Sequence, residues 1–152
     1  MNSNNKIYDT FNEVLVKLFN DIMHIEEKAI ITEEFKDISN NDMHIIEAIG
    51  IDEPKNMSQV AKALSVTVGT LTIAINNLVK KGYVDRVRSE KDRRVVYISL
   101  SPKGRKAFEH HAKFHEAMIQ ATVNGLSKEE VNILVKSLEN LVGFFRDWQH
   151  ES

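Results

Sequence analysis

The chain has 152 residues, of which 42% are hydrophobic and 28% are charged, and it contains no cysteine. This composition is typical of an ordinary soluble globular protein that folds around its own core. The lack of cysteine excludes a disulfide scaffold, a thiolate zinc site and a thiol nucleophile. The longest uncharged run, residues 63–79, is too short and too polar to span a bilayer, and the first residues contain no signal-peptide segment. We therefore expect a cytoplasmic protein without membrane association.

Charge is distributed unevenly along the chain. Residues 55–106 contain twelve Lys or Arg and three Asp or Glu, a net charge of +9. The rest of the chain contains eight basic and nineteen acidic residues, a net charge of −11, which accounts for the formal total of −2. A basic segment between acidic flanks indicates a polyanionic partner, and a merely solvated basic surface is the alternative.

Helical periodicity predicts two helices before the basic segment. The first runs from Ile7 to about Ile30, with apolar residues at helical spacing at Ile7, Phe11, Val14, Leu15, Leu18, Ile22 and Ile25. The second begins at the N-cap Ser39, with Asp42 as its capping-box partner, and ends at Gly50.

The basic segment begins with two short helices joined by a turn, and a change of period follows. Ser58 is predicted to cap the first of these helices, and Thr67 the second, which ends at Gly82. Residues 83–88 and 95–100 are rich in β-branched and aromatic side chains, which predicts a β-hairpin with a charged loop.

Two further helices are predicted after the hairpin. Ser101 and Pro102 open the first, which runs to the stop signal at Gly125. The second has a complete start signature, because Ser127 is an N-cap and Glu130 is its capping-box partner.

This order of elements predicts a mainly α-helical winged helix–turn–helix fold with long N- and C-terminal dimerisation helices. We expect one domain over residues 1–152, with the DNA-binding lobe in 55–100 and the dimerisation helices in 6–50 and 101–148. In an obligate homodimer, two recognition helices would enter successive major grooves about 34–36 Å apart, so the operator should be an inverted repeat. The alternative, a four-helix core with an incidental hairpin, would not explain where the basic charge concentrates.

The helix at residues 68–81 has the pattern of a recognition helix. Its predicted outer face is small and polar near the start, where Thr methyls can contact thymine methyls and Asn amides can pair with adenine edges. Thr70 and the free N–H groups at the helix start can contact phosphate, and Lys80 and Lys81 are predicted to supply affinity that does not depend on sequence. An ordinary solvated helix would more often carry Glu and Lys there. In the helix–turn–helix we assign to DNA binding Ser58, Thr67, Gly69, Thr70, Thr72, Ile73, Asn76, Asn77 and Lys80.

The hairpin contains Asp92, Arg94, Leu100, Ser101 and Gly104 at a spacing that resembles the wing motif of the MarR family of winged-helix repressors. Ser101 stands where that family has Thr, a mild departure because both residues cap helices. The resemblance implies that Arg94 enters the minor groove and that Asp92 holds its guanidinium. A narrow A·T minor groove concentrates negative potential and attracts arginine. The wing residues assigned to DNA binding are Arg88, Ser89, Asp92, Arg93 and Arg94.

Longer segments are similar to the branch of that family that represses bacterial fatty-acid synthesis genes. These segments are FKDISNNDMHIIEAIG, SVTVGTLTIAINNLVKKGY, RSEKDRRVV, KFHEAM and NGLSKEE. The resemblance implies a dimeric repressor of type II fatty-acid synthesis operons that binds an A·T-rich inverted repeat. It also implies that long-chain acyl groups on acyl carrier protein strengthen DNA binding.

An acyl chain would lie between the dimerisation helices and the DNA-binding lobe. Methionines adapt to an irregular apolar guest, although each of them is also an ordinary core residue. The candidate pocket residues are Ile22, Ile25, Met43, His44, Ile46, Phe108, His111, His115 and Met118.

The three histidines in that set have a second interpretation. His111 and His115 are four residues apart on one helix, and His44 could approach them with Glu47 or Glu116 to ligate Zn²⁺, as in some MarR relatives. We expect packing or pocket-lining histidines, no metal and no cofactor. A zinc- or small-molecule-responsive MarR-type regulator of other genes is the alternative function.

Catalytic motifs are absent from the sequence. There is no G-x-S-x-G, no H-E-x-x-H and no Gly-rich phosphate loop. We therefore predict a regulator and not an enzyme.

Overall fold

The computed structural model describes residues 3–30, 32 and 34–151. Its helices are α1 (Ser3–Asn12), α2 (Phe19–Ile30), α3 (Asn40–Ile49), α4 (Met57–Ala63), α5 (Val68–Lys80), α6 (Pro102–Val123) and α7 (Lys128–Glu151), and its strands are β1 (Lys55–Asn56), β2 (Val84–Arg88) and β3 (Val96–Leu100). The backbone forms two compact units, one up to Phe114 and one from His115 onward, so the division falls inside α6. The mainly helical winged helix–turn–helix fold with long terminal helices is confirmed.

The first predicted helix contains an irregularity that the sequence did not indicate. A π-helical segment, Glu13–Leu18, joins α1 to α2. A π turn closes each hydrogen bond one residue later than an α turn, and periodicity close to 3.6 does not distinguish the two over so short a stretch. Ile7, Phe11 and Phe19 are each more than half exposed, so this long helix leaves apolar surface open to solvent.

The start of α3 follows the sequence prediction. Ser39 Oγ accepts from the backbone N–H of Asp42, and the Asp42 carboxylate accepts from the backbone N–H of Ser39. The same carboxylate accepts from Lys81 Nζ at 2.8 Å. A local helix cap therefore also anchors the end of α5 to α3.

The predicted cap of α4 is wrong. The N-cap is Asn56, whose side chain accepts from the backbone N–H of Gln59, while the Gln59 side chain accepts from the backbone N–H of Asn56. This reciprocal pair satisfies two orphan groups at once, whereas Ser58 lies inside the first turn and is too late to do so. Asn56 also belongs to β1, a short strand that the sequence pattern did not predict.

The wing is a three-stranded antiparallel sheet in the order β1-β3-β2. Both predicted hairpin strands are present and each begins one residue later than predicted. Val84 pairs with Leu100 at the base of the hairpin, and Arg88 pairs with Val96 next to the loop. The base is buried and the loop end is exposed, so the charged loop projects from the core.

The hydrophobic core of the first unit lies where α3, α4, α5, the hairpin base and the start of α6 meet. Its largest fully enclosed side chains are Tyr83, Met43, Ile46, Ile49, Leu71, Ile75, Leu78, Ile98 and Val60. The inward face predicted for the recognition helix, Leu71, Ile75 and Leu78, is confirmed.

Tyr83 connects this core to the segment before α3. Its hydroxyl donates to Asp37 Oδ1 at 2.7 Å, and Lys103 Nζ lies 4.2 Å from its ring centroid. Burial, together with the hydrogen bond to Asp37, raises the pKa of Tyr83. The same hydrogen bond lowers the pKa of Asp37, so the carboxylate remains ionised opposite Lys103.

The start of α6 is joined to the start of β2 by a tight backbone junction. Ser101 Oγ donates to the Gly82 carbonyl at 2.6 Å and accepts from the Gly104 N–H at 3.0 Å. The Ser101 N–H donates to the Tyr83 carbonyl at 3.0 Å. A Cβ on Gly104 would overlap that same carbonyl oxygen. These contacts explain the last two positions of the wing motif. Ser101 supplies hydrogen bonds, and Gly104 is needed because any side chain there would overlap backbone.

The second unit contains the end of α6 and the whole of α7. The predicted cap is confirmed, since Ser127 Oγ accepts from the Glu130 N–H and the Glu130 carboxylate accepts from the Ser127 N–H. Large apolar side chains remain exposed along α7, namely Ile133, Val135, Leu138, Val142, Phe144, Phe145 and Trp148.

No single helix among the described residues is long and apolar enough to cross a membrane. The pair α4 and α5 reaches that length and composition only when taken together, across a bend of 105°.

Gly104→Ala should lower the free energy of unfolding by about 3 kcal/mol or more, at the upper end of the usual cost of overpacking, because the new methyl group collides with backbone that cannot rotate away. Urea unfolding followed by circular dichroism measures the change. Gly69→Ala is the matched control, since its Cβ would meet only Thr67 Oγ1 at an ordinary 3.9 Å, and it should be neutral or stabilising by up to about 1 kcal/mol. Equal stability of the two variants would contradict this interpretation of the junction.

Candidate nucleic-acid interface

The predicted DNA-binding residues of α5 lie on its outer side. Gly69, Thr70, Ile73, Asn77 and Lys80 are all exposed there. Thr72 and Asn76 are half-buried on the flank that faces the wing. α5 contains no acidic residue. Its outer face is therefore exposed and free of negative charge, as contact with a polyanion requires.

Hydrogen bonds at the start of α5 fix the hydroxyl groups there. Thr67 is the N-cap, and its Oγ1 accepts from the Thr70 N–H at 3.1 Å and donates to Thr70 Oγ1 at 2.9 Å. Only one of the two hydroxyl hydrogens is used between Thr67 and Thr70, so the other is left to donate outward. A free hydroxyl donor at a helix N-terminus suits contact with a phosphate oxygen.

Thr72 has a different arrangement. Its Oγ1 donates to the Val68 carbonyl at 2.7 Å. The hydroxyl hydrogen is therefore used within the helix, so the side chain presents its methyl group and an acceptor lone pair.

The wing loop is organised around Asp92. The Asp92 N–H donates to Ser89 Oγ at 3.3 Å, and the Asp92 carboxylate accepts from Arg94 three times, from the backbone N–H at 3.0 Å, from Nε at 3.2 Å and from Nη2 at 3.4 Å. The Arg94 N–H and guanidinium lower the pKa of Asp92, the backbone hydrogen bond contributing most. The Arg94 side chain is 92% exposed, so it is oriented by Asp92 and open to a partner.

A groove between the helix–turn–helix and the wing brings three predicted residues together. It has a volume of about 360 Å³ and is lined by Ser58 from α4, Thr72 from α5 and Arg94 from the wing, among others. Arg88, Ser89 and Arg93 lie on the hairpin beside it. The two parts of the predicted DNA-binding surface are therefore adjacent in the first unit.

The two lysines at the end of α5 differ in their contacts. Lys80 is exposed. Lys81 is half-buried and its ammonium lies 2.8 Å from Asp42. This ion pair competes with the phosphate contact predicted for Lys81, which stays a prediction.

Arg86 is a residue of this surface that the sequence assignment omitted. Its Nη1 donates to Asn76 Oδ1 at 2.6 Å, joining β2 to the recognition helix. The sequence did contain a signal for Arg86. It lies two residues before Arg88, and alternate residues of a strand share one face, so both arginines lie on the same face of β2.

The predicted pocket residues have different environments. Met43 and Ile46 are fully enclosed in the core, Phe108 packs against it, Ile22 is half-buried, and Ile25 is 53% exposed. A void beside Met43, Phe35 and His111 has no room for a water molecule. His115 and Met118 are half-buried residues of α6 that belong to the second unit.

His111 lies between two carboxylates in the first unit. It is buried, with Nε2 at 2.9 Å from Glu47 Oε1 and 3.8 Å from Glu26 Oε1. The other Glu47 oxygen is 3.7 Å from Nδ1 of His44, which is half exposed. Glu47 therefore lies between two of the three predicted histidines.

An open groove lies along α3 on the side that carries His44. Its volume is about 480 Å³, within the range of small-molecule sites. Ile45, Leu64, Val66 and Leu71 supply apolar lining, while Asn41 and Glu47 are polar. This groove of the first unit has room for a ligand, whereas the void beside Met43 has none.

The fold and this surface define a winged helix–turn–helix DNA-binding regulator. The family described as transcriptional regulator SarA/Rot matches residues 23–111, and the chain belongs to this family of MarR-type, FabT-like transcriptional regulators. The resemblance to the MarR family indicated by the wing motif is thus confirmed.

Individual relatives agree with this assignment. Streptococcus pneumoniae FabT, solved in complex with DNA, is 45% identical, with a TM-score of 0.82 over 93% of this chain and 99% of that chain. The HTH-type transcriptional regulator PchR of Bacillus subtilis (strain 168) is 24% identical over 149 residues, 88% of each chain. A structure of a MarR family transcription regulator, 17% identical with a TM-score of 0.76 over 98% of this chain and 96% of that chain, shares the fold.

The Asp92 carboxyl should titrate below the usual aspartate value, and in Arg94→Ala its pKa should rise only part of the way back. The backbone N–H of residue 94 still donates in that variant, whereas the guanidinium is gone. Because the pKa is lowered, the pair persists at mildly acidic pH and is lost as the pH falls through the lowered value. Carboxyl ¹³C NMR measures both values. Arg93→Ala is the control and should leave Asp92 unchanged, and an ordinary pKa in the unmodified protein would refute the pairing.

Proposed function

We propose that this chain is a homodimeric, sequence-specific repressor of type II fatty-acid synthesis genes. Its DNA target is an A·T-rich inverted repeat, and its corepressor is a long-chain acyl group on acyl carrier protein. The observation that carries the DNA part is the exposed Arg94 guanidinium held by Asp92 beside the recognition helix. The fatty-acid part is supported by the 45% identity to FabT over nearly the whole of that chain.

The two halves of the surface suit the two grooves of B-DNA. A helix with small polar side chains fits the major groove, where each base pair presents a distinct pattern of donors and acceptors. An arginine at the tip of a wing fits the minor groove, whose narrow A·T form attracts positive charge. Pre-orientation by Asp92 reduces the conformational entropy that Arg94 loses on binding.

Exposed apolar surface supports the homodimer. α1, α2 and α7 carry large apolar residues that are each about half or more exposed, such as Phe11, Phe19, Ile133, Val142 and Trp148. Large apolar side chains exposed along the face of a helix mark an interaction site. A second copy of the chain covers these helix faces in the proposed dimer, and a two-fold dimer matches an inverted-repeat target.

The acyl corepressor acts by differential affinity for two arrangements of the protein. A ligand that binds both arrangements equally shifts nothing, so the acyl chain must favour the DNA-competent one. In the first unit the open groove along α3 is the site proposed for it, because the predicted pocket residues Met43 and Ile46 are enclosed in the core. Each buried CH₂ contributes about 0.8 kcal/mol, so affinity should increase with chain length until the site is full.

A zinc-responsive regulator is the second candidate function. It is favoured by the buried His111 next to Glu26 and Glu47, since imidazole and carboxylate are ligands that Zn²⁺ accepts. Both carboxylates face the same imidazole nitrogen, Nε2. A metal on Nε2 would replace the contact between His111 and Glu47, whereas a metal on Nδ1 would leave Glu47 to orient the imidazole.

Lys80→Ala should weaken binding to all DNA sequences alike and reduce the slope of log K against log[salt] by about one for each phosphate that this lysine neutralises. Fluorescence anisotropy at several salt concentrations measures the slope. Lys81→Ala is the matched comparison. It should leave the slope unchanged and lower the free energy of unfolding by about 1 kcal/mol, because it breaks the pair with Asp42. A reduced slope in Lys81→Ala and not in Lys80→Ala would reverse these roles.

Acyl carrier protein charged with chains of increasing length should tighten operator binding progressively, and a chelator should have no effect. Anisotropy of an A·T-rich inverted-repeat duplex, with both additions in parallel, gives the result. Uncharged acyl carrier protein is the control. Release of the operator by chelator, together with indifference to acyl chains, would establish the zinc alternative. Indifference to both additions would exclude ligand sensing and leave a DNA-binding protein.

A further inference from the structure

The hydrogen bond between Arg86 and Asn76 determines what Asn76 offers to DNA. A guanidinium is a donor only, so the amide group of Asn76 must turn its oxygen toward Arg86. The structure has this orientation, with Arg86 Nη1 at 2.6 Å from Asn76 Oδ1. The amide hydrogens of Asn76 therefore lie on the side of the amide away from Oδ1 and its guanidinium partner.

This orientation conflicts with the usual recognition of adenine by asparagine. That pairing is bidentate, since the amide oxygen accepts from adenine N6 while the amide nitrogen donates to N7. The Asn76 oxygen has two lone pairs, and one of them is engaged by the Arg86 guanidinium, a cation, which weakens the oxygen as an acceptor for a second donor and strengthens the amide N–H groups as donors. The adenine contact expected from the sequence for this residue is therefore disfavoured.

The neighbouring side chain strengthens the same preference. Thr72 lies one turn before Asn76 on the wing side of α5 and uses its hydroxyl hydrogen on the Val68 carbonyl. It presents a methyl group that can pack against a thymine methyl. A donor next to a methyl group fits the edge of thymine, which carries the O4 acceptor beside its own methyl.

We propose that Arg86 is a positioning residue that fixes Asn76 as a hydrogen-bond donor in the major groove. Asn76 then selects a base edge that presents an acceptor, thymine O4 or guanine O6 and N7, over the bidentate edge of adenine. This inference rests on the proposed sequence-specific binding of DNA, and it identifies how one contact of that binding acquires its specificity.

The test measures relative affinity for a set of duplexes in which each half-site position carries each of the four base pairs. Asn76→Ala identifies the position that Asn76 contacts, because discrimination there should fall about fivefold or more. At that position the unmodified protein should prefer thymine or guanine on the contacted strand. The comparison of thymine with guanine decides whether the methyl of Thr72 contributes.

Two variants test the role of Arg86. Arg86→Ala releases the amide oxygen, so preference at that position should move toward adenine. Arg86→Lys retains a donor and should keep most of the original preference. Arg88→Ala removes the same charge from the same strand and should weaken all sequences alike without changing the preference. Circular dichroism checks that each variant is folded.

Asn76→Asp provides an independent readout. The carboxylate keeps the contact with Arg86 and replaces the outward donor by an acceptor, so preference should shift to a base that donates, cytosine through N4 or adenine through N6.

The failures are distinguishable. If Arg86→Ala has the same base preference as Arg88→Ala, Arg86 contributes charge only and the inference is overturned. If Asn76→Ala lowers base discrimination at no half-site position, although the unmodified protein does discriminate among base pairs, then Asn76 does not contact a base and the inference is again wrong. If the unmodified protein discriminates at no position, sequence-specific binding itself fails.

Discussion

The backbone junction between Gly82–Tyr83 and Ser101–Gly104 is the constraint on which the DNA-binding surface depends. The end of the recognition helix, the base of the wing and the start of α6 all meet there within hydrogen-bonding distance. Only glycine fits at position 104, since a Cβ would overlap the Tyr83 carbonyl. The buried phenol ring of the same tyrosine, bonded to Asp37, connects this junction to the segment before α3. Position and angle of the wing relative to α5 are thus set inside the core and not at the surface.

The polar side chains on the DNA-binding surface are oriented before any ligand arrives. Thr67 holds Thr70, Arg86 holds Asn76, and Asp92 holds Arg94. Each of these contacts uses one donor or acceptor and leaves a defined group for the partner. Specificity in such a surface comes from which atoms remain available, because an amide oxygen that already accepts from a guanidinium is a weaker acceptor for a base.

The sequence predicted the fold well because its signals are local. The capping pairs at Ser39 and Ser127, the apolar face of α5 and the paired strands of the hairpin all depend on residues a few positions apart. Features formed by distant residues were missed. β1 forms because Lys55 pairs with Ile98 and Asn56 with Tyr97. The cap of α4 at Asn56 is a different kind of miss, since its partner Gln59 is three residues away and the signal was local. The pairing of Lys81 with Asp42, 39 residues away, was likewise missed, and it competes with the predicted phosphate contact of that lysine. The enclosure of Met43 depends on packing from several elements, which periodicity on one helix cannot show.

The central claim is that α5 lies in the major groove while Arg94 lies in the minor groove, and base-analogue substitution tests it most directly. An inosine·cytosine pair resembles A·T in the minor groove, where it lacks the guanine amino group, and resembles G·C in the major groove. Beneath the wing, replacing A·T by inosine·cytosine should preserve affinity, whereas G·C should weaken it. Beneath α5, inosine·cytosine and G·C should weaken binding equally. The reverse pattern, or the same response at both positions, would contradict the assignment of the two elements to the two grooves.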